Sequence, residues 1–201
     1  MTIAVRLARI GFALLGAVAL VWIPARNLDV DSFSIANYFS YFTILSNVLS
    51  VIVLLVGGLL DPQDPRWQNL RGAVTVYMVI TCVVYAVLLA DVDVTLNDKW
   101  INDTMHRLIP IVVLADWLIS PPRTRIDDKQ CLTWLAFPAV YAVYSLIRGP
   151  IVDWYPYPFI DPRQQGYLEL AFSAVVLTVA MVLLALAVGA VGRLAARWRY
   201  R

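Results

Sequence analysis

Charge is what this sequence has least of. Only 15% of its 201 residues are Asp, Glu, Lys or Arg, while 61% are hydrophobic. A soluble domain carries roughly 25% charged residues to cover its surface. The shortfall excludes a water-facing globule, disorder and a nucleic-acid platform, and a mean hydropathy of +0.72 points to lipid as the solvent. Histidine is scarcer still. His106 stands alone, which excludes a zinc site built on two or three His ligands. The two cysteines, Cys82 and Cys131, form no CxxC and nothing marks them as a bridge. Linkers, low-complexity tracts and fixed-period repeats are missing as well. A net charge of +2 calls for no polyanionic partner.

What is present is a series of apolar runs, each near the roughly 20 residues that cross a bilayer as a helix. Six are expected, over Ile3–Ile23, Ala36–Leu60, Leu70–Ala90, Ile101–Ser120, Cys131–Ile147 and Gly166–Val191. Pro24, Asp61-Pro62 and Pro121-Pro122 are expected to end the first, second and fourth. Pro110 and Pro138 fall inside the fourth and fifth, where neighbours must satisfy the carbonyls they free. The first run has no small-residue cleavage site just after it, so it reads as a retained helix. The fold class is all-α: one integral membrane domain over residues 1–201.

Basic residues orient it. Arg6, Arg9, Arg66, Arg71, Arg123, Arg125, Lys129, Arg193, Arg197, Arg199 and Arg201 fall on one side, and Arg26, Lys99, Arg148 and Arg163 on the other. The positive-inside rule makes the first side cytoplasmic, with both termini there. The expected location is the plasma membrane.

Strongly polar side chains inside spans are costly and often mark function. Span two carries Thr43, Ser46 and Asn47; span four opens with Asn102, Asp103, His106 and Arg107. Span five ends at Arg148, ahead of an aromatic loop holding Asp153, Trp154, Tyr155, Tyr157 and Asp161. Spans two and four both enter from the non-cytoplasmic side. Thr43 then lies about 10 Å deep and His106 about 8 Å, at about 1.5 Å rise per residue. Each residue also has a structural reading. Thr43 can bond its own i−4 carbonyl, Asn47 can join helices, Arg107 can snorkel, and the Trp154–Tyr157 cluster can be an interfacial belt. Asp116 with Trp117 can sit at the inner interface. Convergence at one depth is what sets the outer group apart.

A hydroxyl and an imidazole at equal depth are the minimum for nucleophilic acyl transfer. Thr43 is the candidate nucleophile and His106 the candidate base. Asp103 or Asp153 is the candidate orienter of the ring, and Asn47, Asn102 and Arg148 are candidate oxyanion donors. Phe39, Phe42, Trp100, Trp154 and Tyr157 are candidate pocket residues. No cofactor or metal is called for, although carboxylates alone could hold a hard cation.

Three segments taken in order carry a resemblance: Tyr41-Phe42-Thr43-Ile44-Leu45-Ser46-Asn47, Asn102-Asp103-Thr104-Met105-His106 with Pro110, and Trp154-Tyr155-Pro156-Tyr157-Pro158-Phe159. Together they resemble the androgen-induced (FAR-17a/AIG-like) and ADTRP-type membrane proteins, most of all their bacterial six-span relatives. Animal members of that family hydrolyse fatty acid esters of hydroxy fatty acids with an intramembrane threonine and a histidine. The resemblance carries those roles to Thr43 and His106. Asp103 and Arg107 depart from the animal motif, and the Arg148–Asp161 loop resembles the bacterial branch. Two readings follow. One is a membrane hydrolase of a lipid ester, with the lipid or fatty acyl ester as substrate and membrane lipids as surroundings. The other is a non-enzymatic lipid-binding or transport protein with a polar cavity open to the outer side, where Arg148 or Arg107 takes an anionic headgroup. Nucleic acid is a partner in neither.

Overall fold

A computed structural model describes residues 2–89 and 98–200. Every regular element among them is helical. Five helical stretches are long and apolar enough to cross a membrane: Ile3–Asn27, Phe42–Leu59, Pro65–Leu89, Asp128–Val152 and Pro162–Arg199. The chain is thus a multi-pass membrane protein. Exposed Val140, Val143, Ile147 and Ile151 on one stretch, and Phe172, Val175, Val179 and Leu183 on another, repeat at helical spacing as lipid-facing stripes do.

Helix α1 (Ile3–Asn27) starts where Thr2 accepts the Val5 amide, and α2 (Ile35–Tyr38) where Ser34 accepts that of Asn37. Pro24 was expected to end the first span, yet α1 continues three residues past it. The proline removes the bond to the Leu20 carbonyl. The Tyr38 hydroxyl donates to that carbonyl at 2.8 Å and restores the missing partner.

The second span starts later than Ala36. Helix α2 stops at Tyr38, and α3 (Phe42–Leu59) begins after a break at Phe39–Tyr41. Helix α4 (Pro65–Val84) has Asp64 as its cap and Pro65 in its first turn, and runs on through a π-helical turn, Tyr85–Leu89. Ala90, the expected end of the third span, lies outside the described residues.

Where the fourth span was expected, three short helical pieces stand, none of them among the five long apolar stretches. Helix α5 (Lys99–Asp103), a π turn (Thr104–Leu108) and α6 (Ile109–Ile119) follow one another without a gap. Pro138 breaks the expected fifth span at Trp134–Leu135, between α7 (Asp128–Thr133) and α8 (Ala136–Val152). Helix α9 (Pro162–Arg199) overruns the expected sixth span at both ends and kinks at Gly166, whose φ is 79°.

Helix α4 occupies the middle: Val74, Val76, Met78 and Ile80 are all fully buried. Small residues let its neighbours approach, as is usual between membrane helices. A Cβ at Gly72 would meet the Trp134 ring at 2.5 Å, and one at Gly192 the Trp117 indole at 2.5 Å.

One feature of the core escaped the sequence. Arg9 and Arg71, both counted to the cytoplasmic side, are buried at 4% and 6% exposure. Asp116 joins them, accepting Arg9 Nε at 2.6 Å and Arg71 Nη2 at 2.9 Å. Arg9 Nη1 also donates to the Gly57 carbonyl at 3.0 Å and lies 3.5 Å from Asp61. Arg6 donates to the carbonyls of Gly58 and Leu59. Arg6 and Arg9 thus satisfy the C-terminal carbonyls of α3, where a positive charge also suits the helix dipole. Asp116 is therefore an internal tie among α1, α4 and α6.

Candidate active site

Thr43 sits in the first turn of α3, a turn whose N-cap residue, Tyr41, offers no side-chain bond. The cap comes from far along the chain. The Tyr157 hydroxyl accepts the Thr43 amide at 3.2 Å and lies 3.3 Å from Thr43 Oγ1. Thr43 is buried, and its Oγ1 has a second neighbour, His106 Nε2, at 3.3 Å.

The π turn accounts for the direction of His106. Ile109 N–H reaches back five residues to the Thr104 carbonyl, so one extra residue enters the turn just ahead of Pro110. Such bulges rotate the side chains on either side relative to one another. His106 thereby meets α3, while Asp103 turns outward and pairs with Arg107 at 2.7 Å. A uniform 3.6-residue period would have grouped Asp103 with His106.

The imidazole is held on three sides. Its Nδ1 lies 3.1 Å from the Asn102 carbonyl, which can only accept. In the neutral ring Nδ1 therefore carries the proton, and Nε2 turns a free lone pair toward Thr43 Oγ1. Tyr85 stacks on the ring at 4.3 Å between centroids. The Tyr85 hydroxyl is fixed in turn by Asn102 Nδ2 at 2.6 Å, and the Arg107 guanidinium lies 5.6 Å from the Tyr85 ring centroid.

The remaining candidates divide by location. Asn47 donates to the carbonyls of Thr43 at 2.9 Å and Met105 at 3.2 Å, locking α3 to the π turn. Arg148 donates to Asn37 Oδ1 at 2.6 Å and lies over the Trp154 ring. Asp153 caps α8 in a left-handed conformation and pairs with Arg163, away from the histidine. Phe39 and Trp100 are exposed, Trp100 packing edge-on against Trp22. Phe42 and Tyr157 face the cavity described next, and Trp154 packs on Tyr41.

That cavity, of about 430 Å³, is almost wholly apolar, with Phe42, Thr43 and Tyr157 among the residues that line it. Its walls come from α4, α8 and α9. On α9 they extend from Tyr167 to Met181, about 21 Å at about 1.5 Å rise per residue. Ala139 and Ala142 on α8 and Ala171 and Ala174 on α9 line it while remaining exposed, so the cleft opens sideways toward lipid. Thr43 both borders this cleft and faces the imidazole.

The aromatic loop is anchored rather than loose. The Tyr157 and Phe159 rings stack at 5.1 Å, and Tyr157 meets Tyr41 edge-on at 5.6 Å. Asp161 caps α9 and accepts from Arg163, whose guanidinium holds the carboxyl below its ordinary range. Gly149 leaves room for Tyr155, whose ring a Cβ there would overlap.

Tyr85 and the polar role of Tyr157 were not read from the sequence. Both are aromatic residues in apolar or aromatic surroundings, and pattern alone marks such residues as packing. No curated protein and no solved structure matches the chain. A family model does, over residues 12–189, and its description is FAR-17a/AIG1-like protein. That span includes all three segments on which the resemblance rested, and the chain belongs to the FAR-17a/AIG1-like family.

Proposed function

We propose that this protein is an intramembrane hydrolase of a lipid ester, with Thr43 as nucleophile and His106 as general base and then general acid. The observation that carries the reading is the 3.3 Å approach of Thr43 Oγ1 to an Nε2 whose tautomer is set from behind by the Asn102 carbonyl. An unprotonated Nε2 can take the hydroxyl proton as Oγ1 attacks an ester carbonyl. The apolar cleft beside Thr43 is suited to the acyl chain, and its lateral opening to a substrate arriving from the bilayer. Membership of the family favours esters of the fatty acid–hydroxy fatty acid type as substrates.

In this reading the stretch 99–119 crosses the membrane as a sixth span, and both termini lie on the cytoplasmic side of the plasma membrane. The end of the cleft at Thr43 and Tyr157 then belongs to the outer leaflet. Lipid binding without chemistry gains no support from the arginines it would use, because Arg107 is paired with Asp103 and Arg148 with Asn37.

The test is hydrolysis of long-chain p-nitrophenyl and hydroxy fatty acid esters by purified protein in detergent. Thr43→Ala is expected to abolish turnover, and His106→Ala to lower it about 10²–10⁴-fold. Wild-type rates in both variants would overturn the assignment.

A further inference from the structure

An ester hydrolase needs a donor for the negative charge that forms on the carbonyl oxygen. The three donors expected from the sequence are each engaged away from Thr43 Oγ1. Asn47 spends its amide hydrogens on two carbonyls, Asn102 donates to Tyr85, and Arg148 is held by Asn37 and Trp154.

Proton directions leave the Tyr157 phenol as a side-chain donor at the reacting atoms. The Thr43 amide can only donate, so the Tyr157 oxygen accepts there and its own proton points elsewhere. The Phe42 amide, which also bonds this oxygen, can only donate as well, so among its hydrogen-bond partners Thr43 Oγ1, at 3.3 Å, is the one able to accept that proton. At the far end the Asn102 carbonyl fixes the ring proton on Nδ1, so the Thr43 proton points to Nε2. The phenol therefore presents its O–H to the atom that would attack, in the buried wall of the cleft. Burial pushes this phenol up to about 12, which keeps it a donor at physiological pH.

Resting on the hydrolase reading, we propose that Tyr157 is a catalytic residue whose phenol O–H is the oxyanion donor for the ester carbonyl attacked by Thr43. As the Oγ1–C bond forms, the hydroxyl proton passes to Nε2 and the carbonyl π pair moves onto oxygen. The Tyr157 O–H then swings from Oγ1 to that oxygen. The pair returns as the C–O bond to the alcohol breaks, and the leaving alkoxide takes the proton from Nε2. Water repeats the sequence: it gives a proton to Nε2 and bonds to the acyl carbon. The Thr43 ester then breaks, and Thr43 recovers its proton while the fatty acid leaves. Tyr157 thus serves both tetrahedral intermediates and is unchanged at the end.

The decisive comparison is steady-state hydrolysis of a long-chain p-nitrophenyl ester by wild type, Tyr157→Phe and Thr43→Ala, alongside protein carrying a ring-fluorinated tyrosine at position 157. Tyr157→Phe keeps the ring that packs on Tyr41 and Phe159. Its kcat is expected to fall about 10²–10³-fold with KM nearly unchanged. The fluorinated variants, whose phenols are more acidic but equal in shape, are expected to change kcat in step with acidity. A merely structural hydroxyl would not produce that dependence. If Tyr157→Phe fails to fold, the fluorinated series decides: rates that ignore phenol acidity overturn the proposal, as does Tyr157→Phe turnover within about threefold of wild type. If Thr43→Ala is inactive while Tyr157→Phe is not, only the oxyanion assignment falls. If Thr43→Ala is active, the hydrolase reading falls with it.

Discussion

Thr43 Oγ1 stands 3.3 Å from His106 Nε2, although 63 residues separate them along the chain. The contact depends on two local departures from a regular helix. One is the late start of α3 at Phe42, which puts Thr43 in a first turn capped by Tyr157. The other is the π turn at Thr104–Leu108, which brings His106 round to face α3.

The stack of Tyr85 on His106 should matter to rate more than to binding. Aromatic pairs contribute about 0.5–1.5 kcal/mol beyond the area they bury. Tyr85→Ala is expected to lower kcat about tenfold by releasing the ring, and Tyr85→Phe less, because it loses only the bond from Asn102. Steady-state kinetics on both variants, with KM compared, checks this.

The buried ion cluster should govern stability. Asp116 faces both Arg9 and Arg71, each nearly inaccessible to solvent. Asp116→Asn removes the negative charge shared by two buried guanidiniums, for which the expected cost is about 3–5 kcal/mol. Thermal unfolding in detergent measures it. A cost under about 1 kcal/mol would show that the arginines find other partners.

Helix α1 passes Pro24 because Tyr38 takes the carbonyl that the proline frees. Tyr38→Phe leaves the Leu20 carbonyl buried without that bond, an expected loss of about 1–3 kcal/mol. The same unfolding assay reads it. Amide hydrogen exchange around residues 20–27 should rise in parallel.

The cleft should read chain length. Ala174 lines it from α9, and Ala174→Trp fills space that a long acyl chain would need. The expected result is a fall of more than about tenfold in kcat/KM for a long-chain ester, with a butyrate ester changed less than about twofold. Equal losses on both esters would place the acyl chain elsewhere.

The sequence pointed to the polar pair through the ordered motifs around Thr43 and His106 and their similar distances from the starts of two apolar runs. The break at Phe39–Tyr41 means that the count from Ala36 does not follow one continuous helix. The sequence hid the rest for identifiable reasons. Asp103 looked like the orienter because a regular period puts i and i+3 on one face, and the π turn breaks that period. Arg9 and Arg71 looked like topology markers because the positive-inside rule counts charges without asking whether they are buried. Asp116, a carboxylate within an apolar run, was the signal that could have exposed them. Tyr85 and Tyr157 gave no such signal, since an aromatic residue in an apolar setting looks the same whether it packs or donates.

Covalent capture of the nucleophile reaches furthest into the mechanism. A long-chain alkyl fluorophosphonate, incubated with the purified protein, should lose fluoride and leave a phosphonyl group on Thr43 Oγ1. Peptide mass spectrometry locates it. The expected result is one adduct on the peptide containing Thr43, absent in Thr43→Ala and slowed by about 10² or more in His106→Ala. An adduct on another residue, or equal labelling of Thr43→Ala, would contradict the threonine mechanism.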